Sequence, residues 1–133
     1  MDQSEVDRAI RDHARWLADD GGEQMRLAGK DLAGAKLHGA NLKRAVLSKA
    51  NLTDADLREA DLSEAKLDEA ALKGANLRAA KVRDTDLTGA DLRFADLRGA
   101  DLAGAEVSGA KLKGAVIAPE PLHRLMGCRT EAF

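Results

Sequence analysis

Histidine, cysteine and carboxylate side chains are the groups in this chain that could do chemistry, and their spacing decides whether they do. The three histidines, His13, His38 and His123, are scattered along the 133 residues. A metal site or an acid–base pair needs donors that the chain returns to one point, at recognisable spacings. None of the three has such a partner. Cys128 follows His123 by five residues and reads as a lone surface thiol, with no second cysteine for an intramolecular disulfide. Asp54, Glu59, Glu64 and Glu69 recur every five residues, and so do most of the glycines. A phosphate-binding loop gathers its glycines in one cradle, which this chain does not do. No catalytic, cofactor-binding or metal-binding residue is assigned, no cofactor is implied, and the expectation is that the protein is not an enzyme. The residues with a role to play in binding are cations at repeated spacings, Arg58, Arg78 and Arg98, and Lys73, Arg93 and Lys113, together with Phe94.

The elements that must position these groups follow from one periodicity. From Leu27 to Ile117 every fifth residue is a branched aliphatic: sixteen Leu, Val82, Val107 and Ile117. Two residues earlier, from Ala35 to Ala115, stands Ala, with Thr85 as the exception. Five residues of α-helix advance 140° net, which spreads the Leu around the axis. In a flat strand an odd period throws successive Leu to opposite faces. A chain that turns a corner every five residues keeps them all inside, with Ala where the narrow interior has no room for a second large side chain. Asp or Asn precedes the aliphatic in ten of the nineteen repeats, and Gly follows it by two in nine. Both types suit turns, the first by bonding nearby backbone, the second by tolerating positive φ. Thr85 marks a local irregularity, its hydroxyl placed to bond a backbone carbonyl.

The units Ala-Asn-Leu-Thr-Asp (50–54), Ala-Asp-Leu-Arg-Glu (55–59) and Ala-Asp-Leu-Arg-Gly (95–99) resemble the A(D/N)LXX unit of pentapeptide repeat proteins, and nineteen such units stand in unbroken register. That resemblance implies an all-β solenoid, a right-handed quadrilateral β-helix of four to five coils with twenty residues in each. Residues 1–24 are expected to form an N-terminal capping helix and turn, 25–117 the β-helix, and 118–133 a C-terminal cap or tail with a short helix after Pro121. For the first helix, Ser4 with Asp7 reads as a near capping box, and Val6, Ile10, Ala14 and Leu17 as the apolar stripe. Asp19-Asp20-Gly21-Gly22 ends it.

With twenty residues per coil, Arg58, Arg78 and Arg98 stack in one row and Lys73, Arg93 and Lys113 in the next. Phe94 falls between Gly74 and Gly114, either shielding their backbone or serving as a contact anchor. Leu122, Leu125, Met126 and Phe133 either cap the last coil or pair two columns into a homodimer. Charged residues make up 33% of the chain and nearly cancel, at a net charge of -2. Neither nucleic acid nor an anionic membrane surface is implied. No apolar run approaches 18 residues and the acidic N-terminus lacks a signal-peptide pattern, so a cytoplasmic protein is expected. The function expected is a non-catalytic scaffold that binds a protein. The alternative is a DNA mimic that binds or protects a type II topoisomerase such as DNA gyrase, as some members of the family do. A mimic needs one-sided negative charge, whereas residues 26–117 carry 16 Lys and Arg against 14 Asp and Glu.

Overall fold

A computed structural model describes residues 1–117. Helix α1 spans Gln3–Leu17. Its N-cap is Asp2, whose carboxylate accepts from the Glu5 N–H at 2.8 Å while Glu5 accepts from the Asp2 N–H at 3.2 Å. This reciprocal box starts the helix two residues before the Ser4 expected from sequence, and Ser4 instead donates to Asp2 at 2.9 Å. The inward face is Val6, Ala9, Ile10 and His13, while Ala14 is exposed. Gly22 closes the turn after α1. Its φ is +72° and a Cβ there would collide with the Asp12 carbonyl, so no other residue fits.

The all-β solenoid expectation is corrected. Among the described residues there is no β-strand, and α1 is the single regular element. What pairs is one residue per pentad, in isolated parallel bridges between residues twenty apart, from Arg26↔Val46 to Asp96↔Val116. The reason lies in the pentad itself. A strand needs consecutive paired residues, and two of every five here are spent on a turn. The repeat region is therefore a stack of turns, four pentads to a coil, cross-linked by single rungs. The short helix expected after Pro121, and Leu122, Leu125, Met126 and Phe133 with it, lie outside the described residues.

In the pentad around Leu52 every backbone N–H is accounted for. The Leu52 N–H donates up to the Ala71 carbonyl at 2.7 Å and the Asp54 N–H up to Lys73 at 3.0 Å. The Asn51 N–H donates down to Lys30 at 2.9 Å, and the Ala55 N–H closes the turn onto Leu52 at 3.0 Å. The fifth, on Thr53, goes to the Asn51 side chain at 3.1 Å. All ten Asp and Asn at this position take the same bond from the residue two ahead. The turn has positive φ only at its third residue, the type II pattern. Nine repeats meet that with Gly, and nine with Arg44, Lys49, Asp54, Glu59, Glu64, Glu69, Ala79, Asp84 and Phe94 in the same left-handed conformation.

Leu and Ala fill the interior. Leu42 through Leu72, with Ala45 through Ala70 between them, are 0–1% exposed, and the cover loosens toward Leu112 at 8%. Thr85 is wholly buried and donates to the Leu62 carbonyl one coil below at 2.7 Å. Its repeat is the one turn between Leu27 and Ala115 that lacks the closing bond from the fourth residue to the first.

α1 lies against the first coil, which has no coil beneath it to take its edge-side backbone groups. Side chains stand in for that coil. The Gln3 amide donates to the Lys36 carbonyl and accepts from the Lys36 N–H, both at 2.9 Å, as a paired residue would. Gln24 donates to the Arg44 carbonyl at 2.8 Å, and His13 takes up two further groups.

Candidate functional site: the outward faces

Three residues of each pentad face outward, so each coil shows four triplets and triplets stack with a period of twenty. The Arg58, Arg78 and Arg98 row occupies one face. Arg58 turns back on Asp56 with two hydrogen bonds, at 2.8 and 2.6 Å, and Arg98 does the same with Asp96 at 2.9 and 2.6 Å. Asp56 is held down to about 2 chiefly by the hydrogen bond from Arg58, and Asp96 is lowered by Arg98 in the same way. Asn76 takes the place of the carboxylate beside Arg78, whose N–H it accepts. Arg78 thus has no ion pair among the described residues, and the row is a set of neutral pairs with one free guanidinium.

The next row behaves differently. Arg93 is forked onto Asp91 at 2.8 and 2.7 Å, which lowers the Asp91 pKa. Lys73 and Lys113 are exposed and have no ion pair among the described residues. Phe94 sits between them, 57% exposed, at φ 62°. Its ring lies against the backbone of Gly114, and the Lys73 ammonium is 6.0 Å from the ring centroid. The ring does not cover Gly74, where the Asp54 carboxylate leans instead. The shielding expected from sequence is therefore made on one side only.

The acidic corners do not converge. Glu59 meets His38 at 3.2 Å, Glu64 meets Arg44 at 2.8 Å and Glu69 meets Lys49 at 3.5 Å, each with a partner from the coil below. No group of three or more metal-ligating side chains is present among the described residues. The face of the column Arg26↔Val46↔Lys66↔Asp86↔Glu106 bears four carboxylates, Asp68, Glu69, Asp86 and Glu106, against Arg26, Lys49 and Lys66. Between α1 and the first repeat a shallow groove is lined by Ala9, Asp12, Glu23, Gln24, Met25, Arg26 and Leu27. No helix among the described residues is long and apolar enough to cross a membrane.

The pentapeptide-repeat family model matches eight copies, over residues 26–63, 55–93 and 83–117, well over half of the chain. This chain belongs to the pentapeptide repeat family. Members of that family are generally non-catalytic scaffold or binding proteins. Among curated proteins none is significantly similar in sequence. Among solved structures, a pentapeptide repeat protein (Rfr23) from the cyanobacterium Cyanothece 51142 is 43% identical, with a TM-score of 0.66, over 67% of this chain. The match spans 60% of that protein's length. A pentapeptide repeat protein from the Arabidopsis thaliana thylakoid lumen is 30% identical, with a TM-score of 0.68, over 76% of this chain and 74% of that one. QnrB1, a plasmid-mediated fluoroquinolone resistance protein, matches at 24% identity over 70% of this chain and 68% of its own, with a TM-score of 0.35, too low to carry an argument.

Proposed function

We propose that this pentapeptide repeat protein is a non-catalytic scaffold that binds a protein partner through the face carrying Lys73, Arg93, Phe94 and Lys113. The supporting observation is Phe94. An aromatic ring is left 57% exposed in a left-handed conformation, at a position where the same column elsewhere uses Gly34, Asp54, Gly74 and Gly114. Both features cost free energy, and a bulky residue at positive φ is uncommon enough to ask for a reason. Two unpaired lysines flank it, so a carboxylate-bearing partner with an apolar side chain fits this face best. A photocrosslinking residue at position 94 tests the reading. The adduct should form with one partner and in far higher yield than from position 79, on a neighbouring face. Equal yields at both positions would refute the face assignment.

A second reading, binding of a type II topoisomerase such as DNA gyrase by DNA mimicry, draws on the face that bears Asp68, Glu69, Asp86 and Glu106. Protection of gyrase supercoiling against a quinolone by the purified protein, lost on reversing those four charges, would favour this reading over the first. Pairing of two chains through the C-terminal end is proposed on the same footing, with light scattering as its test. So is a cytoplasmic location, with cell fractionation.

A further inference from the structure

We propose that α1 is an acid-released cap on the first coil and that His13 is its latch. The ring is wholly buried, and both of its nitrogens are committed to backbone groups of the repeat region. The Met25 N–H donates to Nδ1 at 2.9 Å, so Nδ1 holds its lone pair. The proton of the neutral ring is then on Nε2, which donates to the Lys43 carbonyl at 2.8 Å. Trp16 stacks on the ring with centroids 5.5 Å apart. This is a neutral imidazole used as a bridge, with one donor and one acceptor matched to one carbonyl and one N–H.

A second proton has one place to go, Nδ1, and there it faces the Met25 N–H. Two donors then point at each other and a cation is buried. The neighbouring elements offer no relief. Asp12 on α1, and Glu23 and Arg26 in the segment after it, line the groove beside the helix. Lys43 presents its carbonyl to the ring, and Arg44 presents its own to Gln24. None of these places a carboxylate on the imidazole. Burial accordingly holds the His13 pKa below its ordinary value of 6.5, and the Lys43 carbonyl offsets this in part. Docked α1 binds fewer protons than released α1 between that lowered pKa and 6.5. Docking is therefore at full strength above pH 6.5 and weakens as pH falls through this window, by about tenfold per pH unit. The Gln3 pair with Lys36 does not titrate and sets how far the pH must fall before the helix lets go.

The test is made on the whole chain. Trp16 is the sole tryptophan, so its emission reports on α1, and exchange of the Met25 amide, corrected for intrinsic rate, reports on the latch. Both should change together below pH 6.5, while the Leu72 amide stays protected. H38Q should keep the step and H13F should lose it. If H13F leaves the helix undocked at every pH, the wild-type His13 titration, read by nitrogen NMR, still decides. A His13 pKa at or above 6.5, a step surviving in H13F, or one abolished by H38Q would each overturn the proposal.

Discussion

Replacing Leu72 with Ala tests the filled interior most directly. Leu72 is 0% exposed, and the Leu residues twenty before and after it, Leu52 and Leu92, are 0% and 1% exposed. Removing its side chain leaves a gap between two intact layers. Those layers are held at a fixed separation by backbone bonds of 2.7 Å on either side, Leu52 to Ala71 and Leu72 to Asp91. Such a site cannot collapse onto its cavity, so the cost should fall in the upper half of the ~2–5 kcal/mol seen for buried Leu-to-Ala changes. Leu112, 8% exposed at the looser end, provides the contrast and should lose less. Urea unfolding followed by circular dichroism measures both. The midpoint should drop much further for Leu72→Ala than for Leu112→Ala, at unchanged slope. A loss under about 1 kcal/mol for Leu72→Ala, below the range for a buried leucine, or equal losses for the two, would refute the account of the core.

Other expectations follow from the turns and the ion pairs. Gly39 has φ +70° and open space around its Cβ position, so Gly39→Ala isolates backbone strain and should cost ~1–2 kcal/mol in the same unfolding assay. Thr85→Val keeps the shape but leaves the Leu62 carbonyl without its buried hydroxyl donor, and should destabilise by ~0.5–1.5 kcal/mol. Asp56 titrates at about 2 in the folded chain against an ordinary 3.8. Its contribution to stability is therefore complete above pH 3.8 and is lost as pH falls toward 2. Carboxyl NMR should show the Asp56 pKa rising toward 3.8 in Arg58→Met.

The winding of the chain and its contents were legible in the sequence because one geometric demand repeats. Leu at every fifth position and Ala two before it can share an interior only if the chain corners at each unit, and all ten Asx residues make the local bonds their type suggests. The assignment of strands was not correct, because periodicity says where side chains go and not how many consecutive residues pair. The left-handed backbone at Glu59 or Phe94 was hidden, since the nine Gly at that position announce it while the nine other residues there carry no such mark, seven of them being ordinary polar residues. At the candidate site, the rows of cations were readable but their neutralisation was not. An Arg two residues after an Asp forks back onto it at 58, 93 and 98, while Lys73 and Lys113 have no such partner. His13 stands outside the stripe of Val6, Ile10, Ala14 and Leu17 expected from sequence, yet it is part of the buried face. Its signal was available, since residues 6, 9, 10 and 13 recur at helical spacing, but a histidine is not expected to lead an apolar face.

Because each pentad closes its own turn and bonds otherwise to pentads one coil, or about twenty residues, away, the chain has a quarter-turn arithmetic. Deleting twenty residues shortens the stack and leaves every downstream side chain on its original face. Deleting one pentad, for example 75–79, keeps the interior in register yet rotates everything after it to the adjacent face, parting Phe94 from Lys73 and placing it in the row of Lys49 and Glu69. Length and facing direction are thus separate variables, edited in units of twenty and of five.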